Sequence, residues 1–127
     1  MAVRQTSAAV ITVAVGGVIG ALARYGAGTL WPGPWTTLGI NAVGCLTMGV
    51  LMVLVTEVRI PHPLVRLFLG TGVLGGFTTF STFCADFCRL VPTAPLEAFS
   101  YLIATLTAAL AGVSLGMFTT RRLAGLR

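Results

Sequence analysis

The sequence predicts an all-α membrane protein, a single domain over residues 1–127 with four transmembrane helices, the third of them broken. Three observations predict it. Hydrophobic residues make up 56% of the chain and charged ones 9%, against about 25% charged in an ordinary soluble domain. The mean hydropathy is +0.96. Uncharged stretches of 19 to 23 residues recur four times between charged or proline-rich connections, each long enough to cross a hydrocarbon core of about 30 Å as a helix.

The first span is placed at 5–25. Arg4 followed by an apolar stretch ending in Ala21-Leu22-Ala23 also fits a secretory leader. The length of the stretch and the glycines at 16, 17 and 20 suit a packed helix better. Trp31-Pro-Gly-Pro-Trp35 then reads as a short turn at a membrane interface, where tryptophan concentrates. The second span covers 36–56, and the connection from Glu57 to Pro63 carries two prolines that forbid a continuous helix. The third span covers 67–88. The fourth covers 97–120, between Glu97 and Arg121.

The charges exclude some functions. Eight basic residues, all arginine, against three acidic ones give +5, a balance that elsewhere suggests nucleic acid. Here they are scattered, with no basic face or stacking platform, so no nucleic-acid partner is expected. Cys45, Cys84 and Cys88 are odd in number and lie in or beside apolar stretches, where they read as small buried hydrophobes. Cys84 and Cys88 share a helical face but lack the further ligands of a zinc site, and His62 reads as a solvated loop residue. With four spans, six arginines (Arg4, Arg59, Arg66, Arg121, Arg122 and Arg127) fall on the side of the termini, and Arg24 and Arg89 on the other. Basic residues concentrate in cytoplasmic segments, so both termini are expected in the cytoplasm.

Most of the 16 glycines lie inside the spans. In lipid, small residues let helices approach closely, and Gly16, Gly20, Gly44 and Gly49 are placed for that. Four helices alone enclose little space, so any transport role calls for an oligomer.

The third span carries the strongest chemical signal. Gly70-Thr-Gly-Val-Leu-Gly-Gly-Phe-Thr-Thr-Phe-Ser-Thr-Phe83 combines glycines at 70, 72, 75 and 76 with hydroxyls at 78, 79, 81 and 82, and it invites a break. Unwound backbone at membrane depth occurs only where it is buried in protein or lines a wet cavity, and its freed carbonyls are ready ligands for a small cation. Phe80 and Phe83 lie on one face beside Ser81 and Thr82. Ordinary packing, with hydroxyls bonded to the preceding turn, is the plain alternative. Yet aromatic edges are positive and hydroxyls donate, so the mixture also solvates a small anion without a fixed charge. Such weak, multi-site coordination is what a conducting pore requires. Asn41 adds an amide donor within the second span, where an unpaired polar group is costly. Arg24 closes the first span, either snorkelling to the interface or placing positive potential at a pore mouth.

With these residues in view, the chain resembles the CrcB/Fluc fluoride channel family. The resemblance rests on Gly16-Gly17 with Gly20-Ala-Leu-Ala-Arg24-Tyr25, on Thr37-Leu-Gly-Ile-Asn41 with Gly44 and Gly49, and on Gly75-Gly-Phe-Thr-Thr-Phe-Ser-Thr-Phe83. It implies a four-helix subunit of the cell membrane, paired as an antiparallel dimer with itself or with an oppositely oriented paralogue. It further implies passive, fluoride-selective export that relieves fluoride toxicity. By position, Asn41, Phe80, Ser81, Thr82 and Phe83 would line the fluoride path, continued by Tyr101 and Thr105, with Arg24 at the pore mouth. Ala109 stands next in that series where some relatives have a hydroxyl. The main-chain carbonyls of Gly75 and Thr78 would hold a structural Na+ that is not transported. Membrane lipid is the remaining partner.

Two other classes fit the size. A small dual-topology multidrug exporter needs an acidic residue within a span, and Asp86 stands at the end of the third uncharged stretch. A non-transporting membrane adaptor needs only packing surfaces and leaves the hydroxyl and phenylalanine cluster unused. No nucleophile with its base and no metal cluster suggests an enzyme.

Overall fold

The structure is a computed structural model that describes residues 2–58 and 62–126, with side chains from residue 6 onward. Arg59, Arg127 and the side chain of Arg4, which enter the charge bias, lie outside the described residues. The protein is an all-α membrane protein: four helical spans, Thr6–Leu30, Pro34–Val58, Pro63–Leu90 and Pro95–Leu123, are long and apolar enough to cross a bilayer. No strand occurs among the described residues.

The helix ends follow from local chemistry. The first helix, Ala2–Leu30, stops before Trp31-Pro32. Gly33 adopts φ 133°, a conformation open to glycine, and turns the chain into Pro34 at the first helical position of Pro34–Val53. This helix continues as a π-helical segment, Leu54–Val58. His62 is an exposed helix cap whose Nδ1 accepts from the Leu64 N–H at 3.3 Å. Pro63–Arg66 starts the third span, which runs through π-helical Leu67–Leu74 and Gly75–Phe77, and resumes as Ser81–Leu90. The last helix, Pro95–Leu123, begins with proline and Glu97 and ends with Arg121 and Arg122, an arrangement that complements the helix dipole.

Packing pairs the spans through glycine. A Cβ on Gly16 would stand 2.6 Å from the Phe68 carbonyl oxygen, and one on Gly20 would collide with that of Val73. From the other side, a Cβ on Gly72 would lie 2.9 Å from the Gly16 Cα. The first and third spans therefore touch backbone to backbone. The second and fourth do the same: a Cβ on Gly49 would collide with the Val113 carbonyl, and one on Gly112 would lie 2.9 Å from that of Ala42. Gly44 admits the Thr78 methyl, bringing the second span against the third at the depth where the third leaves its helix. Few side chains are fully enclosed, Tyr101 and Val53 being the largest. Many apolar side chains face outward, as a lipid-facing surface requires.

Candidate functional site

The site is built around Thr78, Thr79 and Phe80, which lie outside the helices of the third span. Thr78 ends the lower helix: its N–H donates to the Leu74 carbonyl at 3.0 Å, and its backbone then turns extended, with φ −73° and ψ 155°. Its hydroxyl also donates to Leu74 O, at 3.0 Å. Backbone groups released here need partners inside the protein. Asn41 supplies two, donating through Nδ2 to Thr79 O and accepting at Oδ1 from the Thr79 N–H, both at 2.8 Å. Arg24 reaches in from the first span, with Nη1 donating to Thr78 O at 3.3 Å.

Thr79 organises the restart of the helix. Its side chain is 7% exposed, accepts the Thr82 N–H at 3.2 Å and donates to the Thr82 hydroxyl at 3.0 Å. That is N-capping chemistry for Ser81–Leu90. The Ser81 hydroxyl lies 3.4 Å from that of Thr79. Ser81 and Thr82 are otherwise exposed.

Aromatic rings extend the site in a chain. Phe80 and Phe83 have centroids 5.7 Å apart, Phe83 and Tyr101 5.5 Å, and Tyr101 meets Trp35 edge-on at 6.0 Å. Burial differs sharply along it: Tyr101 is 0% and Phe83 5% exposed, whereas Phe80 is 74% exposed. The Tyr101 hydroxyl and the Thr105 Oγ1 are buried and meet no partner at hydrogen-bond distance, although Thr37, Thr105 and Asp86 all lie close to the tyrosine oxygen. Buried hydroxyls left this way carry a desolvation cost of about 1–3 kcal/mol each.

Two cavities lie beside these groups, and neither is lined by Tyr101 or Ser81. One, of about 230 Å³, is lined by Asn41, Thr78, Thr79, Phe80, Phe83, Thr105 and Ala109 among others. It thus gathers Asn41, both phenylalanines and Thr105. A larger one of about 570 Å³ lies toward Trp31–Trp35 and is lined by Arg24, Thr37, Thr79, Thr82, Asp86 and Arg89 among others. Thr79 lines both. In the larger cavity the Thr37 hydroxyl donates to Asp86 Oδ2 at 2.8 Å, and Arg89 stands 3.8 Å from Oδ1. Gly75 is not in either; it faces a third cavity, between the second and third spans, together with Arg66.

Thr37, Thr79 and Asp86 belong to the site although sequence reasoning gave them no role in it. Thr79 did carry a signal, a hydroxyl residue just before a helical restart with Thr82 three positions on. Asp86 falls one turn beyond Thr82, a spacing that puts both on one helical face.

Comparison with known proteins agrees with this architecture. The family described as "CrcB-like protein, Camphor Resistance (CrcB)" matches residues 11–117, which include every site residue named above. "Fluoride-specific ion channel FluC 1" of Streptomyces coelicolor is 51% identical over 125 residues, covering 94% of this chain and 81% of that protein. "Fluoride-specific ion channel FluC 2" of Nocardia farcinica is 48% identical, covering 90% and 86%. "Fluoride-specific ion channel FluC" of Rhodospirillum centenum is 40% identical, covering 88% and 94%. With four spans, a hydroxyl and phenylalanine cavity between the second, third and fourth of them, and a family match over most of its length, the chain belongs to the CrcB family.

Proposed function

We propose that this protein is a fluoride-selective channel that lets cytoplasmic fluoride leave the cell passively. It is a conduit, not an enzyme. The observation that carries the reading is the cavity of about 230 Å³ in which Asn41 and Thr105 meet the rings of Phe80 and Phe83. A small, strongly hydrated anion gives up water on entering such a space. Hydroxyl protons and positive ring edges replace that water. Asn41 contributes as well, because only one of its two Nδ2 hydrogens is drawn to Thr79 O. Among the described residues no guanidinium lines the smaller cavity, so coordination there stays weak enough for release. Arg24 and Arg89 in the larger cavity raise the local anion concentration at its entrance.

The working unit is an antiparallel dimer in the cell membrane, with both termini of this subunit in the cytoplasm. Phe80 supports the pairing: a pore-side ring that is 74% exposed on one subunit needs a second subunit to complete a closed path. The break also suits a structural sodium ion. Gly75 and Thr78 offer neutral carbonyl oxygens, the donor type that holds alkali cations. Thr78 O carries a single 3.3 Å bond from Arg24, which leaves it a lone pair. One chain supplies too few such oxygens to surround the ion, and a second copy doubles the number.

The test is fluoride release from liposomes containing this chain alone, followed with a fluoride electrode, with chloride-loaded liposomes as control. Rapid fluoride release without chloride release is expected. It would also establish self-pairing. Silence from folded protein, persisting when an oppositely oriented paralogue is co-reconstituted, would overturn the channel reading in favour of an adaptor. Movement of an organic cation driven by a proton gradient, with no fluoride release, would favour an exporter acting through Asp86.

A further inference from the structure

In an unbroken helix the Thr79 N–H donates to the Gly75 carbonyl four residues back. Here that N–H goes to Asn41 Oδ1 at 2.8 Å, and the helical ladder ends one residue earlier with Thr78 N–H on Leu74 O. Asn41 completes the exchange by donating to Thr79 O. One side chain of the second span thus satisfies both backbone groups of Thr79, which an amide's paired donor and acceptor permit. The consequence falls on Gly75. Its carbonyl loses its helical donor, and the residue is exposed on the single subunit. A Cβ there would be 3.7 Å from its nearest neighbour, the Gly70 carbonyl oxygen, so little crowds that position.

A carbonyl without its donor at membrane depth seeks another electropositive partner. Resting on the cation reading above, we infer that Asn41 is a positioning residue for that cation: by capturing the Thr79 N–H it holds the Gly75 carbonyl free to coordinate. Asn41 also lines the smaller cavity. The same side chain therefore touches the anion path with one edge and sets the cation ligand with the other. Loss of Asn41 lets Thr79 N–H return to Gly75 and lengthens the lower helix by one bond.

Solid-state NMR in lipid bilayers tests this directly. Glycine labelled at the carbonyl carbon and the amide nitrogen gives adjacent-residue correlations only for Gly16-Gly17 and Gly75-Gly76, the two Gly-Gly pairs of the sequence. Gly17→Ala assigns them, since a Cβ at Gly17 meets nothing within 4 Å. When sodium chloride replaces N-methyl-D-glucamine chloride, the wild-type Gly75 carbonyl signal is expected to shift while that of Gly16 stays and reports an intact fold. Asn41→Asp, which keeps an acceptor for the Thr79 N–H, retains the shift. Asn41→Leu loses it, as does Asn41→Ser, whose side chain is too short to reach. A sodium shift of wild-type size in folded Asn41→Leu or Asn41→Ser would overturn the inference while leaving the cation reading intact, and its loss in Asn41→Asp would overturn the acceptor role. A wild-type Gly75 signal indifferent to sodium would remove the cation reading and the inference together, with fluoride release still deciding the channel reading.

Discussion

The Trp35 indole stands edge-on to the Tyr101 ring, with centroids 6.0 Å apart and planes at 83°. Trp35 is half exposed while Tyr101 is completely buried, so a residue at the start of the second span holds one in the interior of the fourth. An aromatic pair of this kind is worth about 0.5–1.5 kcal/mol beyond its buried area. Trp35→Leu removes it and frees the Tyr101 ring to turn, and fluoride release from liposomes is expected to slow. Trp35→Phe keeps an aromatic edge and should recover most of the rate at equal reconstitution.

Tyr101 and Thr105 give the sharpest separation of function from stability. Their hydroxyls meet no partner at hydrogen-bond distance, so Tyr101→Phe and Thr105→Val strand no other group. Thermal melts in detergent should show each variant about as stable as wild type. Fluoride release should fall about tenfold, the loss of about 1.4 kcal/mol on the barrier. A variant that loses flux by misfolding would instead melt early.

Glycine at the helix contacts is expected to be intolerant in a position-specific way. A Cβ on Gly49 would strike the Val113 carbonyl and lie 3.0 Å from the Met117 nitrogen, so Gly49→Ala forces two backbones apart. The cost of such overpacking is about 1–3 kcal/mol. Gly17→Ala meets open space and should be neutral or stabilising by about 0.5–1 kcal/mol through helix propensity. Unfolding titrations in mixed detergent measure the contrast.

At the opposite end of the molecule Arg121 grips Glu57 through Nε at 2.9 and 3.0 Å and through Nη2 at 2.6 Å, joining the ends of the second and fourth spans. Both side chains remain partly in solvent, where salt screens such pairs. Glu57→Arg and Arg121→Glu should each lower the melting temperature, and the double reversal should restore part of the loss. Melts repeated in high salt should show the differences shrinking.

The four spans were legible because lipid imposes a length and a polarity on every segment that crosses it, and the connections hold all the punctuation such a pattern needs. Gly16, Gly20, Gly44 and Gly49 were legible for a related reason, since the contacts they permit depend on size alone. Bond partners were not. The sequence marks Asn41 as a polar group that must be satisfied, but pairing it with the backbone of Thr79 depends on the depth at which two helices meet. Trp35 carries the composition of an interface residue, and its contact with Tyr101 arises only once the fourth span lies beside it. Residue spacing within one helix likewise does not foresee the π-helical segments Leu54–Val58 and Leu67–Leu74.

The glycine seam between the first and third spans works as a fixed ruler. Side chains can swap rotamers to let one helix slide along another, but Gly16 and Gly20 present bare main chain to Gly72 and Val73, and main chain has no rotamer to give. A thinner or thicker bilayer must therefore tip the two helices together. Arg24, one turn above Gly20 on the same helix, donates to Thr78 O, so the cavity entrance and the break are expected to move as one when the membrane changes thickness.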